Sequence, residues 1–224
     1  MSAERLLMNE YKALSKELWT NVELIDDNVL EWSVALIVLN PDSLYYGGYF
    51  KAKMTFSKNY PYTPPDFRFI RPLYHPNIYP DGRLCISILH ASGDDEMSGE
   101  LASERWTPVQ RVESVLISVL SLLDDAEVSS PANVDAGVML RNDPAKYKEM
   151  VKKDLEASKQ DIPTGFVMPT HEAAFKTHKE EDDYMTWEDS DAESFGGSDS
   201  DADDDDEDMD SDSDATGDEE EEET

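Results

Sequence analysis

Cysteine is nearly absent: Cys85 is the only one in 224 residues, which excludes an intramolecular disulfide. Four scattered His leave no Cys/His spacing for a structural zinc, so no metal is expected. A single thiol suits a reducing compartment. No stretch approaches the ~18 consecutive apolar residues of a membrane span. The start, MSAERLLMNEYKALSKE, is charged and too short in its apolar run for a signal peptide. Lys and Arg are missing altogether from 180–224, where 25 of 45 residues are Asp or Glu. The first 179 residues hold 26 acids against 19 bases, so they carry about −7 of the total charge of −32. So acidic a tail has too little apolar surface to offset chain entropy and is expected to be disordered. The acidity argues against nucleic-acid binding and for a basic protein partner. We expect a soluble protein of the cytoplasm and nucleus, without membrane association.

What is present reads as one folded domain. Ser2 is positioned to cap a helix from about Ala3 to Leu18, with Leu7, Tyr11, Leu14 and Leu18 on one face and Arg5, Asn9, Lys12 and Lys16 on the other. Strand-like runs follow at 30–39, 49–56 and 66–70; Phe50, Ala52, Met54 and Phe56 alternate with Lys51, Lys53 and Thr55, the period of a half-buried strand. Short turn-forming connections (NPDS, YYGG, NYPYTPP) favour an antiparallel meander. The run at 106–123 predicts a helix with Thr107 as N-cap and Pro108 at its first position. Val112, Val115, Leu116, Val119, Leu120 and Leu123 form its core face, and Gln110, Ser114, Ile117 and Ser121 its far side. An isoleucine on that serine-lined side is mildly anomalous. Two further helical segments divide around Asp143 and Pro144. The expected boundaries are a domain over 1–160 with an acidic insertion at 91–104, a linker over 161–179, and the tail over 180–224.

HPNIYPDGRLCISIL, residues 75–89, holds the chemistry. Free cysteines are commonly buried and inert. Here the YPDG turn places Cys85 where an irregular loop leaves the sheet, and such loops are where chemistry concentrates. A Cys/His pair would need an imidazole to activate the thiol, and spacing leaves His75 and His90 both open as partners. His75 opens a His-Pro-Asn turn and suits loop hydrogen bonding better.

With Asn77 eight residues before Cys85, and with RWTP, GGYF and NYPYTPPDFRFI in order around it, the chain resembles ubiquitin-conjugating enzymes over residues 3–155. The resemblance implies an α+β fold: a four-stranded antiparallel meander with an N-terminal helix, a central helix and C-terminal helices. It implies that Cys85 takes ubiquitin's C-terminal carboxyl as a thioester from an activating enzyme and passes it to a lysine. No cofactor is bound, and ATP is used by the activating enzyme. Asn77 would donate to the oxyanion, and His75, Pro76 and Tyr79 would shape the site. Many members have an acid two residues after the cysteine. Ser87 stands there instead, and Ser130 stands where another helper residue often lies. Both would orient the acceptor lysine by hydrogen bonding. The acids Asp94, Asp95 and Glu96 of the insertion would position that lysine.

The insertion, CISILH and SPANVDA together resemble the long-tailed cell-division-cycle subtype serving cullin–RING (SCF) ligases. That implies lysine-48 chains on ubiquitin and a tail docking on a basic surface of the cullin. Contacts to a ligase RING protein would fall on Arg5, Asn9, Tyr62, Pro64, Thr107, Pro108 and Val109. Donor ubiquitin would face Ser114, Ile117 and Ser121. Ser190, Ser198, Ser200 and Ser211 each have an acid three residues on, a weak motif for an acidophilic kinase. Two other functions fit parts of the sequence: an inactive scaffold of the same fold, and an acidic chaperone of basic proteins.

Overall fold

The computed structural model describes residues 2–91, 93 and 100–174. Asp94, Asp95, Glu96 and the whole of 180–224, including the four tail serines, lie outside the described residues.

Helix α1 (Ala3–Leu14) is capped by Ser2, whose side chain accepts from Arg5 N–H. It stops four residues sooner than its apolar spacing predicts. The hydroxyl of Ser15 donates to the Tyr11 carbonyl at 2.7 Å, competing with the helical ladder. Leu18 is consequently exposed, while Leu7 and Leu14 are buried. Strands β1 (Thr20–Ile25), β2 (Asn28–Ile37), β3 (Tyr49–Thr55) and β4 (Asp66–Phe69) form an antiparallel meander in the order β1-β2-β3-β4. β1 was not legible as a run of its own. TNVELI carries only three apolar residues, and its hairpin turns on Asp26 and Asp27, both at positive φ (52° and 57°), as a two-residue hairpin with right-handed strand twist requires.

The inner sheet face, with Trp32, Val34, Leu36, Phe50, Ala52 and Met54, packs with Leu7 of α1 and with helix α2 (Val112–Asp124) in the main core. α2 does not start at Thr107. Residues 107–110 form a turn closed by Gln110 N–H to Thr107 O at 3.0 Å. The first amide of α2, Val112 N–H, is capped at 2.8 Å by the carboxylate of Glu10 from α1. An anion at a helix N-terminus meets both its unpaired N–H groups and its dipole, so the cap lies 102 residues away in sequence. Helices α3 (Val134–Asn142) and α4 (Pro144–Ser158) divide at Asp143, which caps α4, as the Asp-Pro step predicts.

Past α4 the structure departs from a linker. Ile162, Phe166, Met168 and Ala174 lie on the outer sheet face and, with Trp19, cover Ala35, Ile37, Leu39 and Tyr49. This strap has no helical or strand period, which is why its apolar residues gave no signal.

Candidate active site

Cys85 ends a small hairpin. Tyr79 and Gly82 close a turn (Gly82 N–H to Tyr79 O, 2.9 Å), and Tyr79 N–H donates to Arg83 O at 2.9 Å. Gly82 has φ +91°, and a Cβ there would sit 2.3 Å from the Phe69 carbonyl oxygen, so the turn next to β4 admits only glycine. Ile78 bridges Leu84, and Cys85 N–H donates to Asn77 O at 2.9 Å. Cys85 itself is partly exposed and begins the passage into a 3₁₀ turn over Ser87–Leu89. The Tyr79 hydroxyl faces the thiol. Its pKa is raised first by the Cys85 charge, then by burial and hydrogen bonding to Cys85. The Arg83 guanidinium lies 5.4 Å over the Tyr79 ring.

Asn77 is buried, and its carboxamide grips one peptide unit across the site. Nδ2 donates to Glu127 O at 2.9 Å, and Glu127 N–H donates to Oδ1 at 2.9 Å. This two-point clamp fixes the loop after α2 against the cysteine hairpin. Glu127 in turn accepts from Ser129 N–H at 2.6 Å, Asn133 N–H donates to Pro76 O at 2.8 Å, and Arg141 donates to Val128 O at 3.2 Å. The loop so held presents Ser129 and Ser130 to the same cleft as Cys85. Asn77 therefore has an architectural engagement that the expected oxyanion donation does not require.

His75 is fully buried, with Pro76 buried behind it. Its Nδ1 accepts from Asn77 N–H at 3.1 Å, which puts the neutral ring's hydrogen on Nε2. That nitrogen has the Leu122 backbone near it but falls short of a full hydrogen bond. Burial pushes the imidazole down to about 4 from 6.5. Between those values the unfolded chain binds more protons than the folded one. The contribution to stability is therefore complete above pH 6.5 and lost as pH falls through about 4, an effect of about 3 kcal/mol. An NMR titration of the His75 ring is expected to give a midpoint near 4; a midpoint near 6.5 would contradict this burial.

The cleft beside Cys85 has a volume of about 710 Å³ and includes Asn77, Ser87, His90, Glu100, Glu104 and Ser130. Glu100 is its centre of charge. Ser87 Oγ donates to Glu100 Oε1 at 2.9 Å, His90 Nδ1 lies 2.8 Å from the same oxygen, and Arg105 Nε donates to Oε2 at 3.1 Å. Burial works to raise the pKa of Glu100, but hydrogen bonds from His90 and Ser87, with the charge of His90 and the bond from Arg105, bring it below the ordinary carboxylate range. The insertion thus carries an ionised carboxylate to the serine that stands where an acid is common. Nothing in the spacing of a loop shows which of its acids folds inward, so the sequence does not mark Glu100 out from the other acids of the insertion. Among the described residues, neither His75 nor His90 hydrogen-bonds to the thiol.

The remaining expected contact residues fall on two surfaces. Arg5 and Asn9 are exposed on α1, Tyr62 is 74% exposed, Pro64 is half-buried, Thr107 is half-buried, and Pro108 and Val109 are exposed. Three interactions hold these segments together: the Tyr60 hydroxyl donates to Glu10 at 2.9 Å, Glu10 caps α2, and Trp106 Nε1 donates to Pro61 O at 2.7 Å. On the outer side of α2, Ile117 is 49% exposed, between Ser114 and Ser121.

A partly exposed thiol at the end of a hydrogen-bonded hairpin, sharing an open cleft with an ionised carboxylate and three serines, suits a carrier that exchanges acyl groups on sulfur with an incoming amine. Residues 6–155 match the family model of ubiquitin-conjugating enzymes. The chain belongs to that family, and it is a ubiquitin-conjugating transferase. It is 52% identical over 179 residues to ubiquitin-conjugating enzyme E2-34 kDa of Saccharomyces cerevisiae, a match covering 78% of this chain and 60% of the yeast protein. It is 46% identical over 161 residues to ubiquitin-conjugating enzyme E2 7 of Arabidopsis thaliana, covering 70% and 96%. A probable ubiquitin-conjugating enzyme E2 7 of Caenorhabditis elegans is 46% identical over 139 residues, covering 62% and 84%.

Proposed function

We propose that Cys85 receives ubiquitin from an ATP-using activating enzyme and delivers it to lysines of substrates and of ubiquitin itself, forming lysine-48 chains with a cullin–RING ligase. Marking proteins for proteasomal degradation, and so for cell-cycle control, in cytoplasm and nucleus, is the corresponding role. The observation that carries the transfer step is the Cys85 cleft with Glu100 hydrogen-bonded to Ser87. The lysine nitrogen attacks the thioester carbonyl carbon, the C–S bond breaks, and the Cys85 thiolate leaves with its electron pair.

A lysine with a pKa of roughly 10.4 must first lose a proton, which costs about 4.6 kcal/mol at neutral pH. Glu100, held below the ordinary range, is a weak base, so its part is to attract and aim the ammonium group. Ser87 and Ser130 add hydrogen bonds, and Asp94, Asp95 and Glu96 help to position the lysine, with one carboxylate taking the proton. The RING protein engages Arg5, Asn9, Tyr62, Pro64, Thr107, Pro108 and Val109. Donor ubiquitin covers Ser114, Ile117 and Ser121, which gives the exposed isoleucine a purpose.

The acidic tail supplies long-range attraction to a basic surface on the cullin, an effect screened by salt. Deleting 180–224 is expected to slow ligase-dependent turnover and to remove most of its salt dependence, while Cys85 charging stays intact. Equal slowing of charging and turnover would contradict docking by the tail.

A further inference from the structure

The strap leads somewhere specific. It leaves α4 at Lys159–Asp161, where Arg71 pairs with Asp161 at 2.7 Å, and crosses the outer sheet face. Gly165, at φ +85°, and the Phe166 N–H to Pro163 O bond of 3.0 Å turn it so that the Phe166 ring meets Tyr49 edge-on at 5.5 Å. Asn21 Nδ2 donates to the Tyr49 hydroxyl at 3.1 Å and fixes that ring from the other side. Thr170 then caps a last helical turn through Ala173 N–H (3.3 Å) and Ala174 N–H (3.1 Å). His171 and Ala174 line an apolar groove of about 350 Å³ together with Trp19, Ile37, Ile117 and Leu120. Ala174, 5% exposed, thus sits at the outer face of α2, beside the half-exposed Ile117.

We propose that residues 162–174 are an anchor that starts the acidic tail at the outer face of α2. The basic partner surface that the tail's first acids meet then lies within a short tether of Ala174, beside the face that donor ubiquitin covers rather than on it. This rests on the tail acting as a docking polyanion. Glu180, the first residue of the acidic run, is six residues beyond Ala174. Six residues of chain span at most about 22 Å. Released from the sheet, the chain would be free from Asp161, and the reach would grow to about 65 Å. Local concentration of a tethered group falls roughly as the −3/2 power of tether length, so the anchor raises it about fivefold at a nearby partner. With charges screened over about 8 Å at physiological salt, such placement decides which basic patch the first acids meet.

Four full-length or near-full-length proteins test the anchor by Cys85 charging and by ligase-dependent turnover at low and physiological salt. They are the natural chain, the chain lacking 180–224, a Phe166→Ala/Met168→Ala chain, and a chain with about a dozen Gly/Ser residues inserted between Lys179 and Glu180. The insertion leaves the strap untouched, so it decides the matter even if the double substitution weakens the fold. Insertion and strap release are each expected to lower turnover about fivefold at physiological salt, and by less at low salt where the attraction reaches further, with charging unchanged. If tail deletion slows turnover but the insertion does not, the anchor is wrong while tail docking stands. If tail deletion itself has no effect, both fall.

Discussion

On the oxyanion role that the family resemblance implies for Asn77, replacing it with Ala is expected to slow discharge of charged enzyme onto lysine by about 10²–10³-fold, the usual cost of a lost donor. It is also expected to lower thermal stability. The second effect follows from the clamp, because the substitution strands both the N–H and the C=O of Glu127, which Asn77 now pairs at 2.9 Å each. Both bonds are only part-buried and Glu127 itself is exposed, so water replaces part of each; their loss costs about 0.5–1.5 kcal/mol apiece, and each kcal/mol lowers Tm by roughly 2–4 °C in a chain of this size. A residue serving only the oxyanion would lower kcat with Tm unmoved. Loosening of the loop that carries Ser129 and Ser130 would add a rise in the acceptor KM. A variant with normal discharge and normal Tm would contradict both roles.

Substituting Cys85 produces the other large effect. Cys85→Ala removes the acceptor atom, and no charging is expected. Cys85→Ser keeps a nucleophile but replaces a good leaving group with a poor one. Any ubiquitin it takes is therefore expected to persist as an oxygen ester that thiols do not release and lysine does not discharge. Because the thiol is partly exposed at the end of a hairpin braced by Gly82 and Asn77, neither substitution is expected to disturb the fold. Lysine discharge from the Ser variant at a rate near that of the natural chain would contradict sulfur as the carrier atom.

Much of the fold was legible because its signals are local. The alternation along β3 and the Asp-Pro break between α3 and α4 both lie in a few adjacent residues, and the apolar face of α2 was read correctly apart from half-buried Leu120. The start of α2 was not legible. Thr107 and Pro108 imitate a helix start, whereas the actual cap, Glu10, comes from another helix through a contact 102 residues long. The strap escaped for a related reason, since Ile162, Phe166 and Met168 show their purpose only against Ala35, Ile37 and Tyr49.

The site divides in the same way. The turn before Cys85 and the proximity of Asn77 could be read from HPNIYPDG. Which insertion acid meets Ser87, and that Asn77 is bound to Glu127, depend on loops brought together from 13 and 50 residues away. Asp94, Asp95 and Glu96 lie outside the described residues, and their role stands as proposed.

One measurement bears most directly on Cys85 as a ubiquitin carrier. The full chain is incubated with ubiquitin, activating enzyme and ATP, and the product is analysed by mass with and without added thiol. The account expects one ubiquitin on Cys85, removed by thiol and lost when ATP is left out. No adduct, or an adduct on a lysine that survives thiol while Cys85 stays free, would contradict it.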